Sequence, residues 1–409
     1  MKSVDKLLDT KIELFGLSLR VVDVLFFSVM LGLGISMRLS LFDIKSGDYT
    51  MFLKKWMKEC RDAGGFGYLS IEPLVTDKST INYGCMYQYV IVILYYLRGL
   101  MSDLYLIKIP SVIFDIVCAV TIMRIAFEVT GQNTVKAIMA FGISLLLPTV
   151  VLNSAAWAQC DSIYTAFALL SILHMLKGND RKMFIYLALS YSFKQQAIFL
   201  LPLIIIMWLK GRVKLRYILY CPVVLFLTII PALFAGRNMG ELLSVYIRQV
   251  STYTRLTLNY PCIYSVVAAG LREDYRKMII ASGTIATVAL LGVLAYYIRN
   301  KKFKVTDLYI VTLAIFTIEL CLFVLPVMHE RYGYLPEILS VVCGLTRYRR
   351  MLLCGAFQVI SVITYSRFLF GSEVENIWPL SLCIFAIIAV LGYDLYLQMS
   401  GKEVKSVRV

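Results

Sequence analysis

The amino-acid sequence predicts an all-α, polytopic integral membrane protein. Three observations carry that expectation. The 409 residues are 59% hydrophobic and only 16% charged, with a mean hydropathy of +0.75; a soluble domain is about half apolar and a quarter charged. The apolar residues fall into long runs, and about 20 of them cross a bilayer as a helix. The basic residues cluster in the short polar gaps between those runs, where lysine and arginine mark cytoplasmic loops. A soluble multidomain enzyme, a disordered chain and a nucleic-acid-binding module are excluded on composition. The net charge of +15 reads as loop charge that orients helices, not as a nucleic-acid surface.

Taken in order, residues 1–20 carry Lys2, Lys6, Lys11 and Arg20 and read as a cytoplasmic N-terminus with no small-residue cleavage site. The first strong span is about Val21 to Leu41. A polar stretch, 42–82, follows with Asp43, Asp48, Glu59, Asp62, Glu72 and Asp77; at that length it reads as a functional first extracytoplasmic loop. Apolar blocks then recur at 84–100, 108–127, 136–152, 161–176, 183–193, 197–209 and 217–236. A second large outer loop, 237–260, separates these from blocks at 261–270, 278–298, 306–327, 333–346, 351–370 and 378–398. About eleven to thirteen spans are expected, in a single domain ending in a cytoplasmic tail, 399–409. The clusters at 177–182, 210–216, 299–304 and 347–350 are placed inside, so His329–Arg331 falls outside. Counting every block in 84–176 as a crossing gives the wrong parity at 177–182, so one block there dips in without crossing. Block 261–270 is too short to cross alone.

The ten cysteines show no metal-ligand spacing and mostly sit in apolar runs as small hydrophobes. Cys60 and Cys85 flank the first loop and are candidates to pair there.

Four polar clusters remain. Ser46-Gly47-Asp48-Tyr49 places a carboxylate just past the first span, suited to a general base or to an ordinary turn. In Asn153 to Ser162, Trp157, Gln159 and Asp161 sit between two apolar blocks. An ionisable group there is a functional hypothesis by default, although Asp161 also suits a helix N-cap and Trp157 an interfacial anchor. Lys194-Gln195-Gln196 interrupts two short apolar runs; the lysine either pairs with an anion or snorkels to water. His329-Glu330-Arg331-Tyr332 offers a guanidinium fork for phosphate oxygens, or a local ion pair. No P-loop or GxGxxG follows a strand.

In this order and spacing, with Pro202 and Pro336 beyond the last two clusters, the motifs resemble the GT-C superfamily of integral membrane glycosyltransferases. They are most similar to the bacterial group akin to the GPI-anchor mannosyltransferases, over about residues 20 to 340. The resemblance implies a GT-C type fold in the bacterial cell membrane. It also implies transfer of a hexose, mannose as the first guess, from a polyprenyl-phosphate sugar to a glycan or glycolipid acceptor. Transfer would invert the anomeric centre at a site on the extracytoplasmic face. It casts Asp48 as catalytic base and Arg331, Lys194 and His329 as donor phosphate ligands. Asp161, Gln159, Gln196, Glu330, Trp157 and Tyr332 would position substrate. Ala158 stands where the family commonly has glycine, and the first loop lacks an Asp-x-Asp. No metal ligands are therefore assigned and no cofactor is firmly expected, a divalent metal being possible without that motif. Membrane lipids are expected partners and nucleic acid is not. A lipid-linked oligosaccharide flippase, a secondary transporter, and an outer-leaflet polysaccharide ligase or polymerase are the alternatives.

Overall fold

The computed structural model describes residues 6–72, 81, 83–251, 255–267, 272–372 and 376–401, without the side chains of 247–251. Asp77, Lys2, the tail beyond Gly401 and the Arg248 side chain lie outside the described residues. The fold is helical because a chain in hydrocarbon must satisfy its backbone within each segment. Seven described helices are long and apolar enough to cross a membrane. They are α1 (Val21–Leu39), α4 (Asp103–Val129), α10 (Tyr220–Phe234 with the turn from Leu215), α12 (Glu273–Asn300), α13 (Asp307–Val324), α15 (Met351–Leu369 with the turn from Tyr348) and α16 (Trp378–Met399). An eighth is bent: α5 (Thr134–Leu146) meets α6 (Pro148–Val151, continued as a π turn to Ala156) at 49°.

Full-length spans are thus fewer than the eleven to thirteen expected. Several apolar blocks fold into shorter helices: α3 (Cys85–Tyr96), α7 (Asp161–Leu176), α8 (Asp180–Phe193), α9 (Leu201–Leu209, entered through a 3-10 turn at Gln195–Leu200) and α14 (Tyr334–Thr346). At 12 residues α3 is about 18 Å long, short of the roughly 30 Å hydrocarbon core. Block 261–270 holds only a 3-10 turn, Ile263–Val266.

Hydropathy does not separate the centre from the periphery, since lipid and protein interior are equally apolar. The most apolar stretch of α12 (hydropathy 2.2) is 17% buried, whereas that of α13 (hydropathy 2.1) is 72% buried. α13, α4, α7 and α14 form the centre; α1, α10 and α12 present broad apolar faces outward.

The 42–82 loop is ordered at its start. A π turn (Tyr49–Leu53) runs into the amphipathic α2 (Lys54–Asp62), which buries Trp56, Met57 and Cys60 and exposes Lys54, Lys58 and Arg61. The Arg61 guanidinium anchors it to Asp103 at 2.6 Å. Cys60 and Cys85 do not pair. Both are free buried thiols, pointed at the carbonyls of Gly65 and Thr228 respectively. Helix α11 (Met239–Ser251) occupies the second loop. Two small sheets complete the chain: the hairpin β1 (Lys11–Leu14) with β2 (Leu17–Arg20), and a parallel pair, β3 (Thr257–Leu258) with β4 (Met328–His329).

The basic gaps gather at one end of the bundle. Lys177 pairs with Glu128 at 3.0 Å, Lys210 donates to the Lys301 carbonyl at 2.8 Å, and Arg212 donates to the Leu176 carbonyl. The polar clusters follow the other ends of the same helices.

Candidate functional site

The site begins with the turn after α1. Lys108 of α4 donates its ammonium to the carbonyls of Leu41, Phe42 and Ile44 at 2.8–3.1 Å, clamping the turn that follows the helix. The Ser46 hydroxyl then donates to the Trp157 carbonyl at 2.6 Å and accepts from the Tyr49 amide. These contacts deliver Asp48 to the 153–161 turn. Its Oδ2 accepts from Trp157 Nε1 at 2.8 Å and from Gln159 Nε2. Asp43 is not part of the cluster; it accepts from the Tyr105 hydroxyl at 2.6 Å.

The 153–161 turn is irregular for a stated reason. A π turn ends at Ala156, and Ala158 adopts φ 63°, the left-handed region that glycine occupies without strain. The glycine that the resemblance leads one to expect belongs at this backbone. Behind it, Asp115 accepts from Arg38 Nε at 2.8 Å, Ser154 Oγ at 2.6 Å and the Tyr334 hydroxyl at 3.1 Å. Arg38 also donates to the carbonyls of Gly34 and Leu145. This fully buried network ties α1, α4, α5, the π turn and α14 together directly beneath the site.

Asp161 opens α7 but is not its N-cap, which is Cys160. Its carboxylate instead accepts from Lys194 Nζ at 2.5 Å and Asn153 Nδ2 at 2.9 Å. Lys194 follows the end of α8 in extended backbone and is 4% exposed, so it is paired rather than snorkelling. Its ammonium lies 5.0 Å from the Tyr83 ring centroid.

His329, Glu330 and Arg331 arrive from the end of α13. Val327, at φ 67°, turns the chain, and pairing of β4 with β3 fixes its direction. The Arg331 guanidinium lies 3.6 Å from Asp161, 3.6 Å from Glu330 and 4.0 Å from Asp48, and sits over the Trp157 ring. The local ion pair allowed by the sequence is therefore present, but the same guanidinium also joins Asp48 and Asp161, which are 113 positions apart. Glu330 is buried, and neither of its carboxylate oxygens has a hydrogen-bond partner among the described residues. Burial pushes its carboxyl up to about 7 against the opposing pull of Arg331. Burial, with Arg331 and Lys194 nearby, holds the His329 imidazole well below its usual range and hence neutral at pH 7.

The cluster opens on a cavity of about 650 Å³. Lys194, Gln196, His329, Arg331 and Tyr332 line one end; Ile198, Phe199, Leu325 and Met328 form an apolar wall, and α12 adds Ile280 and Thr284 with the charged Glu273, Arg276 and Lys277. That volume lies in the range of small-ligand sites. The residues to which the resemblance gives a role, Asp48, Trp157, Gln159, Asp161, Lys194, Gln196 and His329 to Tyr332, lie in the cluster or on the cavity wall. Arg237, in the second large outer loop, is committed elsewhere: it is buried and donates to Gln88 and Glu241. Among the described residues, no group of three or more His, Cys, Asp or Glu side chains could hold a metal ion. The sequence reading missed Arg38, Lys108, Asp115 and Tyr83, and gave Asn153 a place in the second cluster but no role. Asp115 and Lys108 carried a legible signal, being ionisable residues in an otherwise apolar block.

No protein-family model matches the chain, and no curated protein matches it.

Proposed function

We propose that the protein is a membrane glycosyltransferase that moves a hexose from a polyprenyl-phosphate sugar to a glycan or glycolipid acceptor on the extracytoplasmic face. The observation that carries this reading is Arg331. One guanidinium, beside the Lys194–Asp161 pair, stands between a turn carboxylate, Asp48, and a cavity with an apolar wall. A phosphate diester with a lipid tail matches that combination of fixed cations and apolar surface.

In this reading Asp48 takes the proton of the acceptor hydroxyl, whose oxygen attacks the anomeric carbon opposite the phosphate. The new C–O bond forms as the bond from that carbon to the phosphate oxygen breaks, which inverts the centre. Polyprenyl phosphate leaves with the bonding electrons, and Arg331 and Lys194 stabilise its charge. Trp157 and Gln159, by donating to Asp48 Oδ2, aim the carboxylate. Gln196 and Tyr332 on the cavity wall position the hexose, which the resemblance makes mannose-like.

The sidedness follows from the basic loops. If α3 does not cross, loops 130–133, 177–182, 210–216, 299–304 and 347–350 all fall inside, and Asp48, Asp161, Lys194 and Arg331 all fall outside. This sidedness takes α3 as the block that dips in without crossing and α7, α8, α9 and α14 as crossings.

The test is purified protein in liposomes given radiolabelled polyprenyl-phosphate sugars. Release of polyprenyl phosphate with label on an acceptor supports the reading. Movement of labelled lipid between leaflets without release would replace it with transport.

A further inference from the structure

Three carboxylates and two cations are packed together in the site. Asp48 accepts from Trp157 and Gln159, and Asp161 accepts from Lys194 and Asn153. Glu330 accepts from no other residue among the described residues, its own backbone amide being the one donor turned towards it. Its one close countercharge is Arg331 Nη1 at 3.6 Å, and that nitrogen also lies 4.0 Å from Asp48. Among the described residues, Asp48 from the turn after α1, Asp161 of α7 and Tyr365 of α15 also act on Glu330 electrostatically. None of these adds a positive charge.

We propose that Glu330 is the proton site of the anion pocket: it is ionised against Arg331 when the pocket is empty and takes up one proton when a phosphate diester engages that guanidinium. This rests on the reading of Arg331 and Lys194 as a phosphate site. A buried carboxylate without hydrogen bonds from other residues is tolerated only through its countercharge. An anion on Arg331 divides that countercharge and brings a like charge close, and both effects favour the neutral acid. Asp48 and Asp161 keep their hydrogen-bond donors, which Glu330 lacks, so the proton goes to Glu330. His329 is adjacent and neutral, but it faces two cations and gains no comparable advantage.

The linkage has a definite sign. The empty-site carboxyl titrates at about 7, and the occupied one titrates higher. Anion binding therefore strengthens as pH falls towards 7 and levels off below it, with a limiting slope of about tenfold per pH unit for one proton.

Calorimetry of the full chain in nanodiscs tests this with citronellyl methyl phosphate, a diester whose single charge does not titrate. Comparing buffers that differ in ionisation enthalpy, HEPES against Tris at pH 8 and acetate against MES at pH 5.5, counts the protons. The expected result is uptake of about one proton per anion at pH 8, falling towards zero at pH 5.5. Glu330→Gln should bind the diester with no uptake and with pH-independent affinity. Binding to the wild type without uptake at pH 8 overturns the proton site alone, as does undiminished uptake in the variant. If the variant does not fold, the wild-type measurement decides by itself. Failure of the diester to bind at pH 6 removes the phosphate site and this inference together.

Discussion

At the scale of single residues, the argument turns on which carboxylate is free to act. Asp161 is saturated by Lys194 and Asn153, and Asp43 is spent on Tyr105. Asp48 is held through one oxygen, at the meeting point of two loops. Asp48→Asn should therefore lower the rate of hexose transfer by a factor of about a hundred to ten thousand, with donor binding largely kept. Turnover near the wild-type rate, measured as polyprenyl phosphate released, would move the base role to another group. Ala158 makes the opposite kind of prediction. An L-residue in the left-handed region costs about 1–2 kcal/mol, and glycine is free of that cost although it loses more entropy on folding. Ala158→Gly should leave thermal stability unchanged or raise it slightly, with activity retained. A clear fall in melting temperature would show that the methyl group is packed rather than strained.

At the scale of elements, what was legible in the sequence followed from physics that acts locally. Apolar runs marked the helices, and the four polar interruptions marked where they end. Cys60 and Cys85 misled because spacing in sequence says nothing about where side chains point; each turned into its own pocket. The lengths of the helices were not legible for a similar reason. A helix enclosed by protein, such as α14, needs no full lipid-spanning length, and hydropathy does not distinguish it from a full-length span. Gly84 shows what the pattern could not contain: a Cβ there would lie 2.5 Å from the Ser192 carbonyl, so the entry of α3 is set by close contact with the end of α8. The sidedness of these elements is directly testable. Ser70 and Lys301 are both exposed, at opposite ends by the loop-charge argument. In a chain cleared of native cysteines, Ser70→Cys should react with an impermeant reagent added outside and Lys301→Cys should not. The reverse pattern would invert the bundle and put the site in the cytoplasm.

At the scale of the whole molecule, the arrangement depends on one contact that joins distant parts of the chain. The site itself is assembled from turns after α1, α6, α8 and α13, and no single turn carries more than a fragment of it. Arg38 and Asp115 are 1% and 0% exposed and link α1 to α4, with Ser154 and Tyr334 attaching the π turn and α14 to the same carboxylate. The pair lies among helices, where its desolvation is offset only by complete bonding. Removing one partner leaves the other charge buried and uncompensated, at a cost of about 3–5 kcal/mol. Asp115→Leu should therefore lower the melting temperature of the purified protein sharply. It should also loosen the 153–161 turn that carries Trp157, Gln159 and Asp161. Replacing both partners with apolar residues of similar volume, Arg38→Met with Asp115→Leu, should recover most of the stability, because no charge is then stranded. If the network only holds the bundle together, activity will return with stability in the double variant. If it also sets the turn geometry, stability will return while transfer stays impaired. The second outcome is expected, since in both variants Ser154 loses the Asp115 carboxylate, keeping only the Val150 carbonyl at 3.2 Å, and it lies one residue from Asn153, which holds Asp161. A double variant as unstable as Asp115→Leu alone would show that packing, and not the stranded charge, is what the substitution destroys.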